Sequence, residues 1–286
     1  MRDGLIPEQP IHMGETLPGA KISYLDINME KKIVEEKLRE LQTLNAAQKE
    51  ITSVMKDLGI QRAKLHGWPN TYAFTKAMGE MMILEEMKGK DYKLIILRPT
   101  INKTLDALFA VYGKGKLTFF LADPQSILDL IPGDMVVNAM VAAIAKHSKD
   151  EPSLDFVIYH VGKPIKVGAE LQLLSSMTTF QRYIELHYLP YLKILKLLNV
   201  IFCDKFKRSY TNSRRALDYL MRLAELYKPY TLFQGIFDDA NTEGLRITTR
   251  EYNSNADMFG FDPKCIQWEE YFLITHFPGI AKYALK

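Results

Sequence analysis

The stretch Lys93-Leu94-Ile95-Ile96-Leu97-Arg98-Pro99-Thr100 constrains this chain more than any other. Four consecutive apolar residues between charged ones read as a strand covered on both faces, the pattern of a parallel sheet. Pro99 then ends the strand, because it has no N–H to give to a ladder. Directly upstream lies Gly67-Trp68-Pro69-Asn70-Thr71-Tyr72-Ala73-Phe74-Thr75-Lys76-Ala77-Met78-Gly79-Glu80. Pro69 suits a first helical turn, and Asn70 or Thr71 can accept from the orphan N–H groups there. Helix, short loop (Lys88 to Tyr92), strand and Arg-Pro make half of an α/β repeat. In such doubly wound sheets ligands bind in the crevice at the strand ends.

On that helix Tyr72 and Lys76 stand four residues apart, one above the other on a single face. An ammonium beside a phenol stabilises the phenolate and makes the phenol a better proton donor. A general acid of this kind serves a carbonyl oxygen while hydride reaches the carbon. The spacing alone occurs in many helices, where a half-buried Tyr and a solvated Lys explain it. The strand behind it is what singles it out here.

Along the rest of the chain, residues 1–27 are rich in Gly and Pro and read as a loop packed on something else. Residues 28–58 carry apolar residues at helical spacing, with Asn28 as cap, Gly59 as terminator and a possible break over Thr43 to Gln48. Leu105 to Tyr112 reads as a short helix. Gly113-Lys114-Gly115 reads as a plain turn, since nothing at P-loop spacing follows it. Asp134 to Lys146 reads as a helix packed on the sheet, with Asp134 as its N-cap rather than the alternative of a catalytic carboxylate, and Phe156 to His160 as the last strand of this part. From about 165 the chain turns to helices rich in aromatics, including Arg214 to Tyr227 and Trp268 to Phe272. The expected division is 1–165, an incomplete Rossmann-type part, and 166–286, a mainly helical part. The apolar stretch within Tyr183 to Phe206 admits two readings: a core helix, or an amphipathic helix lying at a membrane surface.

The net charge of +3 and the lack of a long Lys/Arg block give no reason to expect nucleic acid. Cys203 and Cys265 match no metal spacing and suggest a reducing compartment. The six histidines form no spaced cluster, so each is expected to be structural or solvated. No apolar run reaches the ~18–20 residues that a spanning helix needs, and the first thirty residues show no signal or transit pattern. A cytoplasmic protein is expected, with peripheral membrane contact left open.

The Tyr/Lys helix and the Leu97-Arg98-Pro99 strand end also carry a resemblance, together with several unrelated blocks in order. These are Gly113-Lys114-Gly115 with Phe120-Leu121-Ala122-Asp123-Pro124, Ile131 to Ala139, Tyr227-Lys228-Pro229-Tyr230, Phe237 to Glu243, Phe261-Asp262-Pro263 and Pro278 to Tyr283. Nearly the whole chain resembles alcohol-forming fatty acyl-CoA reductases of the plant type, extended short-chain dehydrogenase/reductases with an added C-terminal domain. The resemblance implies NADPH as cofactor, long-chain fatty acyl-CoA as substrate, an aldehyde intermediate and a primary alcohol as product. It implies a site on the cytosolic face of the endoplasmic reticulum. It makes Tyr72 the proton donor and Lys76 the holder of the ribose hydroxyls. Arg98, Pro99 and Thr100 would lie beside the nicotinamide, more through backbone than side chain. Phe202, Tyr210, Tyr227, Tyr230, Phe233 and Phe237 could wall an acyl tunnel, although an ordinary aromatic core explains each position.

Measured against that family, parts are missing. Nothing before Tyr72 supplies a strand, a Gly-x-x-Gly-x-x-Gly turn and a helix N-terminus to receive a pyrophosphate. Thr16 and Ser23 follow no apolar strand, so neither can polarise the carbonyl with Tyr72. A stretch between Ile101 and Leu105 is also shorter than in the family. Without partner strands, 93–98 is expected to have an open edge and an uncovered apolar face. Two alternatives therefore stand beside the reductase: a remnant that acts only with a partner, and a reductase of the same superfamily with another substrate.

Overall fold

The computed structural model describes residues 4–100, 118–148, 156–166, 172–252 and 259–283. In chain order the elements are β1 (Leu5–Ile6), α1 (Ile27–Thr43), α2 (Gln48–Leu65), α3 (Thr71–Met87), β2 (Leu94–Pro99), β3 (Phe119–Leu121), β4 (Ile127–Leu130) and α4 (Gly133–His147). Then follow β5 (Phe156–Val161), β6 (Lys163–Lys166), β7 (Gln172–Leu174), α5 (Met177–His187), α6 (Leu189–Ile201), α7 (Lys207–Thr231), β8 (Ile236–Phe237) and α8 (Ala240–Tyr252). The C-terminal stretch coils through Trp268–Glu270, a π-helical Tyr271–His276 and Phe277–Tyr283. By contact the chain divides into two units. One comprises Met1–Pro99, Asp134–Val161 and Phe237–Phe261; the other comprises Thr100–Gly133, Gly162–Ile236 and Asp262–Lys286. The helix expected at Leu105 to Tyr112, the Gly113-Lys114-Gly115 turn and the shortened stretch after Ile101 lie outside the described residues.

In the first unit the helical stretch expected over 28–58 is two helices, divided between Thr43 and Gln48 where the sequence allowed a break. Asp26, not Asn28, caps α1: its carboxylate accepts from the N–H groups of Asn28 at 2.9 Å and Met29 at 3.0 Å. After Thr43 the chain reverses through Asn45, whose φ of 51° is a left-handed conformation that asparagine tolerates. Gly59 does not close a helix either. It lies inside α2, where an added Cβ would meet Thr71 at 3.2 Å, so it permits close approach of the first turn of α3. Gly67 is the residue that stops α2, with φ of 83° and the Leu17 carbonyl oxygen only 2.9 Å from where a Cβ would sit.

Leu25, Ile27, Ala63, Trp68, Phe74, Ala77 and Met81 form the core of α1–α3. The N-terminal loop packs on it, as expected of a loop that needs a support: Leu17 N–H donates to His66 O at 3.2 Å and Lys21 N–H to Leu65 O at 2.8 Å. Across α1 and α2, the buried Glu30 accepts from Arg62 Nε at 2.8 Å and from His66 Nε2 at 2.9 Å, and also pairs with Arg62 Nη2. Burial, the largest influence on Glu30, raises its pKa. The hydrogen bonds and charges of Arg62 and His66 together outweigh it and hold the carboxyl below its usual range.

β2 and β5 run parallel, with Leu94 opposite Phe156 and Pro99 opposite Val161. The strand expected over 93–98 is thus present, and Pro99 is its last residue. Ile158, Tyr159 and Val161 of β5 are buried, and α8 lies against this strand, with Asn241 Nδ2 donating to Ile158 O at 2.9 Å. Among the described residues β2 has no second neighbour, and Leu94 to Leu97 are only half-buried. A sequence written for a doubly covered strand thus sits, among the described residues, in a two-stranded sheet. On α4, Val137, Val141 and Ile144 form an exposed apolar stripe at i, i+4 and i+7. Asp134, expected as the cap of α4, lies inside its first turn, where a carboxylate still favours the helix dipole.

In the second unit β3 pairs in parallel with β7, and β4 pairs antiparallel with β6. Phe119, Leu121, Phe180, Ile184, Leu192, Leu217 and Ala224 make its core. Phe119 lies in an aromatic group, 4.6 Å from the Tyr183 ring and 5.5 Å from those of Phe180 and Tyr188. Ser176 and Thr179 form a capping box at the start of α5. The apolar stretch expected within Tyr183 to Phe206 is α6, which starts after Tyr188 with Pro190 in its first turn. The helix expected over Arg214 to Tyr227 is part of the longer α7. Among the described residues no helix is long and apolar enough to cross a membrane.

Candidate functional site

The site is built on α3. Trp68, nearly fully buried, anchors the segment that enters the helix, and Asn70 Oδ1 caps it by accepting from Ala73 N–H at 2.8 Å. Phe74, Ala77 and Met81 then turn into the core. With those positions buried, Tyr72 and Lys76 are left on the outward face. Tyr72 is 67% exposed, and the Lys76 ammonium lies 5.9 Å from the centre of its ring. The structure therefore brings the two together, with the cation over the ring face rather than at the hydroxyl. Among the described residues neither the Tyr72 hydroxyl nor the Lys76 ammonium has a hydrogen-bond or ion-pair partner.

One turn further along the same stripe, Glu80 is held tightly. It accepts from Arg98 Nε at 3.1 Å and pairs with Arg98 Nη2, and it takes the Ile11 N–H at 3.0 Å. Arg98 Nη2 also donates to Gln9 O at 2.8 Å, and Arg98 Nη1 donates to His160 Nε2 at 3.0 Å. His160 Nδ1–H donates to Asp238 O at 2.8 Å, which fixes the tautomer and leaves Nε2 as the acceptor. Burial depresses the pKa of His160 more than its hydrogen bond to the Asp238 carbonyl raises it, and the Arg98 cation adds to the depression.

Glu8 joins this cluster from the N-terminal loop. It accepts from the backbone N–H groups of His160 at 2.7 Å and of Asn241, and faces the Thr242 hydroxyl at 3.0 Å. Burial raises its carboxyl above the usual range despite those donors. Tyr159, beside it on β5, is pushed by burial to about 12, and its hydroxyl meets His147 Nε2 at 2.8 Å.

The expected cofactor-side residues are distributed differently. The Arg98 side chain is engaged with Glu80, Gln9 and His160. Pro99 is exposed at the end of β2, opposite Val161. Thr100 begins the second unit, where its side chain fills the place that a Cβ on Gly162 would need. Of the aromatic residues considered for a tunnel, Tyr227 is buried with its ring 6.3 Å from Phe120, whereas Phe202 is exposed at the end of α6. Glu8, Glu80 and His160 were not legible as site residues. Only the position of Glu80, four after Lys76 on one stripe, hinted at its place.

The N-terminus of the first helix is not open to a pyrophosphate. α1 is the first helix, and the Asp26 carboxylate already occupies its end. Gly14, in the loop before it, has the Tyr24 ring packed where a Cβ would stand. The start of α1 and the loop before it thus offer no cradle for a dinucleotide's phosphates. Among the described residues no group of His, Cys, Asp and Glu is arranged to hold a metal ion.

Two family models, both described as male sterility protein, match the chain: a NAD-binding model over residues 20–140 and a second over residues 186–286. The alcohol-forming fatty acyl-CoA reductase of Simmondsia chinensis is 44% identical over 99% of this chain. Fatty acyl-CoA reductase 1 of Arabidopsis thaliana is 42% identical over 99%. Putative fatty acyl-CoA reductase 7 of the same plant is 38% identical, covering 96% of this chain and 75% of its own length. The chain belongs to the plant fatty acyl-CoA reductase family. It spans 66% and 65% of the length of the first two relatives. Those alignments run 329 and 328 positions against 286 residues, so these family members carry internal stretches that this chain lacks. The NAD-binding match contains Tyr72, Lys76 and the Arg98–Thr100 turn, and it gives that part of the fold a Rossmann-like, nicotinamide-cofactor character. A helical region follows it.

Proposed function

We propose that this chain carries the proton-delivering part of an NADPH-dependent reduction of long-chain fatty acyl-CoA to a primary alcohol. The observation that carries the reading is the outward pair on α3: a phenol with no partner among the described residues and an ammonium over its ring. When bound, NADPH supplies the hydride. Tyr72 delivers a proton at the acyl oxygen, and Lys76 holds the ribose hydroxyls beside it. The backbone at Arg98, Pro99 and Thr100 borders the nicotinamide, while the Arg98 side chain stays with Glu80. The first reduction expels CoA as its thiolate and leaves an aldehyde; the second gives the alcohol. In this reading residues 1–165 form the cofactor part and 166–286 the C-terminal domain. The protein works as a peripheral protein on the cytosolic face of the endoplasmic reticulum, where its apolar substrate gathers.

The lack of a second neighbour for β2 among the described residues and the filled N-terminus of α1 favour a second statement about this polypeptide. By itself it binds NADPH weakly and acts, if at all, beside a partner that supplies the glycine turn. Incubating the purified chain with NADPH and long-chain acyl-CoA checks both. Little or no alcohol is expected, with no rise in melting temperature on adding NADPH. Alcohol formed at an ordinary enzymatic rate overturns the second statement and upholds the first.

A further inference from the structure

A surface helix normally turns charge away from its core face. α6 instead carries apolar residues on both its buried and its exposed face. Leu192 and Leu195 are buried in the core of the second unit. Successive residues advance about 100° around a helix, so Ile194, Leu197 and Ile201 lie on the side away from that core. They are 57%, 60% and 59% exposed. Tyr191, Val200 and Phe202 extend the exposed apolar surface. Lys193 and Lys196 flank it, and the helix holds no acidic residue. Between Glu185 and Asp218 there are seven lysines and arginines against one acid, Asp204. That acid is engaged by Asn199 and Lys207.

We propose that the outward face of α6 seats the protein on an anionic lipid surface. Ile194, Leu197 and Ile201 enter the boundary between headgroups and acyl chains. Lys193 and Lys196 lay their methylene stems along that boundary and carry their ammonium groups back to the lipid phosphates. The helix is about 20 Å long, enough to lie in the interface and too short to cross the bilayer. Charge decides between this occupant and a second copy of the chain. Two α6 faces brought together would set Lys193 and Lys196 against their own kind with no acid on either helix to answer them. An anionic bilayer supplies the missing sign and attracts the whole basic stretch. The proposal rests on the peripheral membrane contact put forward above and not on the reduction chemistry, so vesicle binding and alcohol formation succeed or fail separately.

The test is flotation of the full chain with phosphatidylcholine vesicles, with and without phosphatidylserine. Binding is expected with phosphatidylserine, weaker without it, and weaker again as salt rises. The exposed double variant Leu197→Glu/Ile201→Glu is expected to lose about tenfold in vesicle affinity, since the lost apolar groups and the added negative charge both oppose insertion. Its melting temperature should stay unchanged. Independently, an Ile194→Trp variant should show blue-shifted emission on anionic vesicles only. Failure of the parent chain to float with either vesicle overturns the proposal, as does an unshifted Ile194→Trp spectrum. A parent chain that is dimeric, becomes monomeric with Leu197→Glu/Ile201→Glu and ignores vesicles assigns the face to a second copy instead.

Discussion

Tyr72, Lys76 and Glu80 follow one another at four-residue steps on α3, yet they meet opposite surroundings. Tyr72 and Lys76 face outward without partners among the described residues. Glu80, with only 10% of its side chain exposed, is locked to Arg98 and through it to His160 and the N-terminal loop. The difference separates two tasks on one helix. The far end ties α3 to β2 and β5 and gives the fold its definition; the near end is left to act on something that is not protein. Stability and chemistry should therefore respond to different substitutions only two turns apart.

The largest stability loss should come from the framework side. Phe74→Ala empties a site that is 3% exposed and should cost about 4 kcal/mol in urea unfolding. Glu80→Ala strands the part-buried Arg98 guanidinium and should cost about 3 kcal/mol. Replacing both Glu80 and Arg98 by Leu should cost less, because no charge is then left unpaired. A milder effect follows from His160 and His147, whose pKa values are both lowered by burial first and by neighbouring cations next. The unfolded chain takes these protons near pH 6.5 and the folded chain only at lower pH, so stability rises with pH across that window. The melting temperature should thus fall as the pH drops below 6.5, and His160→Gln should flatten the slope. Glu8 works the other way. Its raised carboxyl makes the folded state the better proton binder just above pH 4.5, which partly offsets the loss. The smallest change is expected where the chemistry lies: Tyr72→Phe and Lys76→Met should each move stability by less than about 0.5 kcal/mol, because both side chains are exposed. A loss there as large as that of Glu80→Ala would erase the contrast.

Local chemistry made α3 and β2 legible in the sequence. Asn70 caps as its side chain allows, and four apolar residues closed by Pro99 form a parallel strand. The misplaced features had tertiary causes. Gly59 reads as a stop until Thr71 is seen to press against it. Asn28 looks like a cap because the acceptor two residues earlier, Asp26, serves the same turn. Glu80, Arg98 and His160 come from a helix and two strands, and no spacing rule connects residues 62 apart. Among the described residues β2 pairs with β5 alone, and the sequence before Tyr72 reads as offering it no further strand. For α6 the sequence offered both a core and an interfacial reading; the structure shows a buried face with Leu192 and Leu195 and an exposed apolar face opposite.

The most direct test supplies the missing glycine turn and then removes the phenol. A segment carrying a strand and a Gly-x-x-Gly-x-x-Gly turn can be fused ahead of this chain and assayed with NADPH and long-chain acyl-CoA. The fusion should form fatty alcohol, and Tyr72→Phe should lower its rate by about a hundredfold or more at an unchanged melting temperature. A Tyr72→Phe fusion as active as its parent would contradict the assignment of the proton to this phenol.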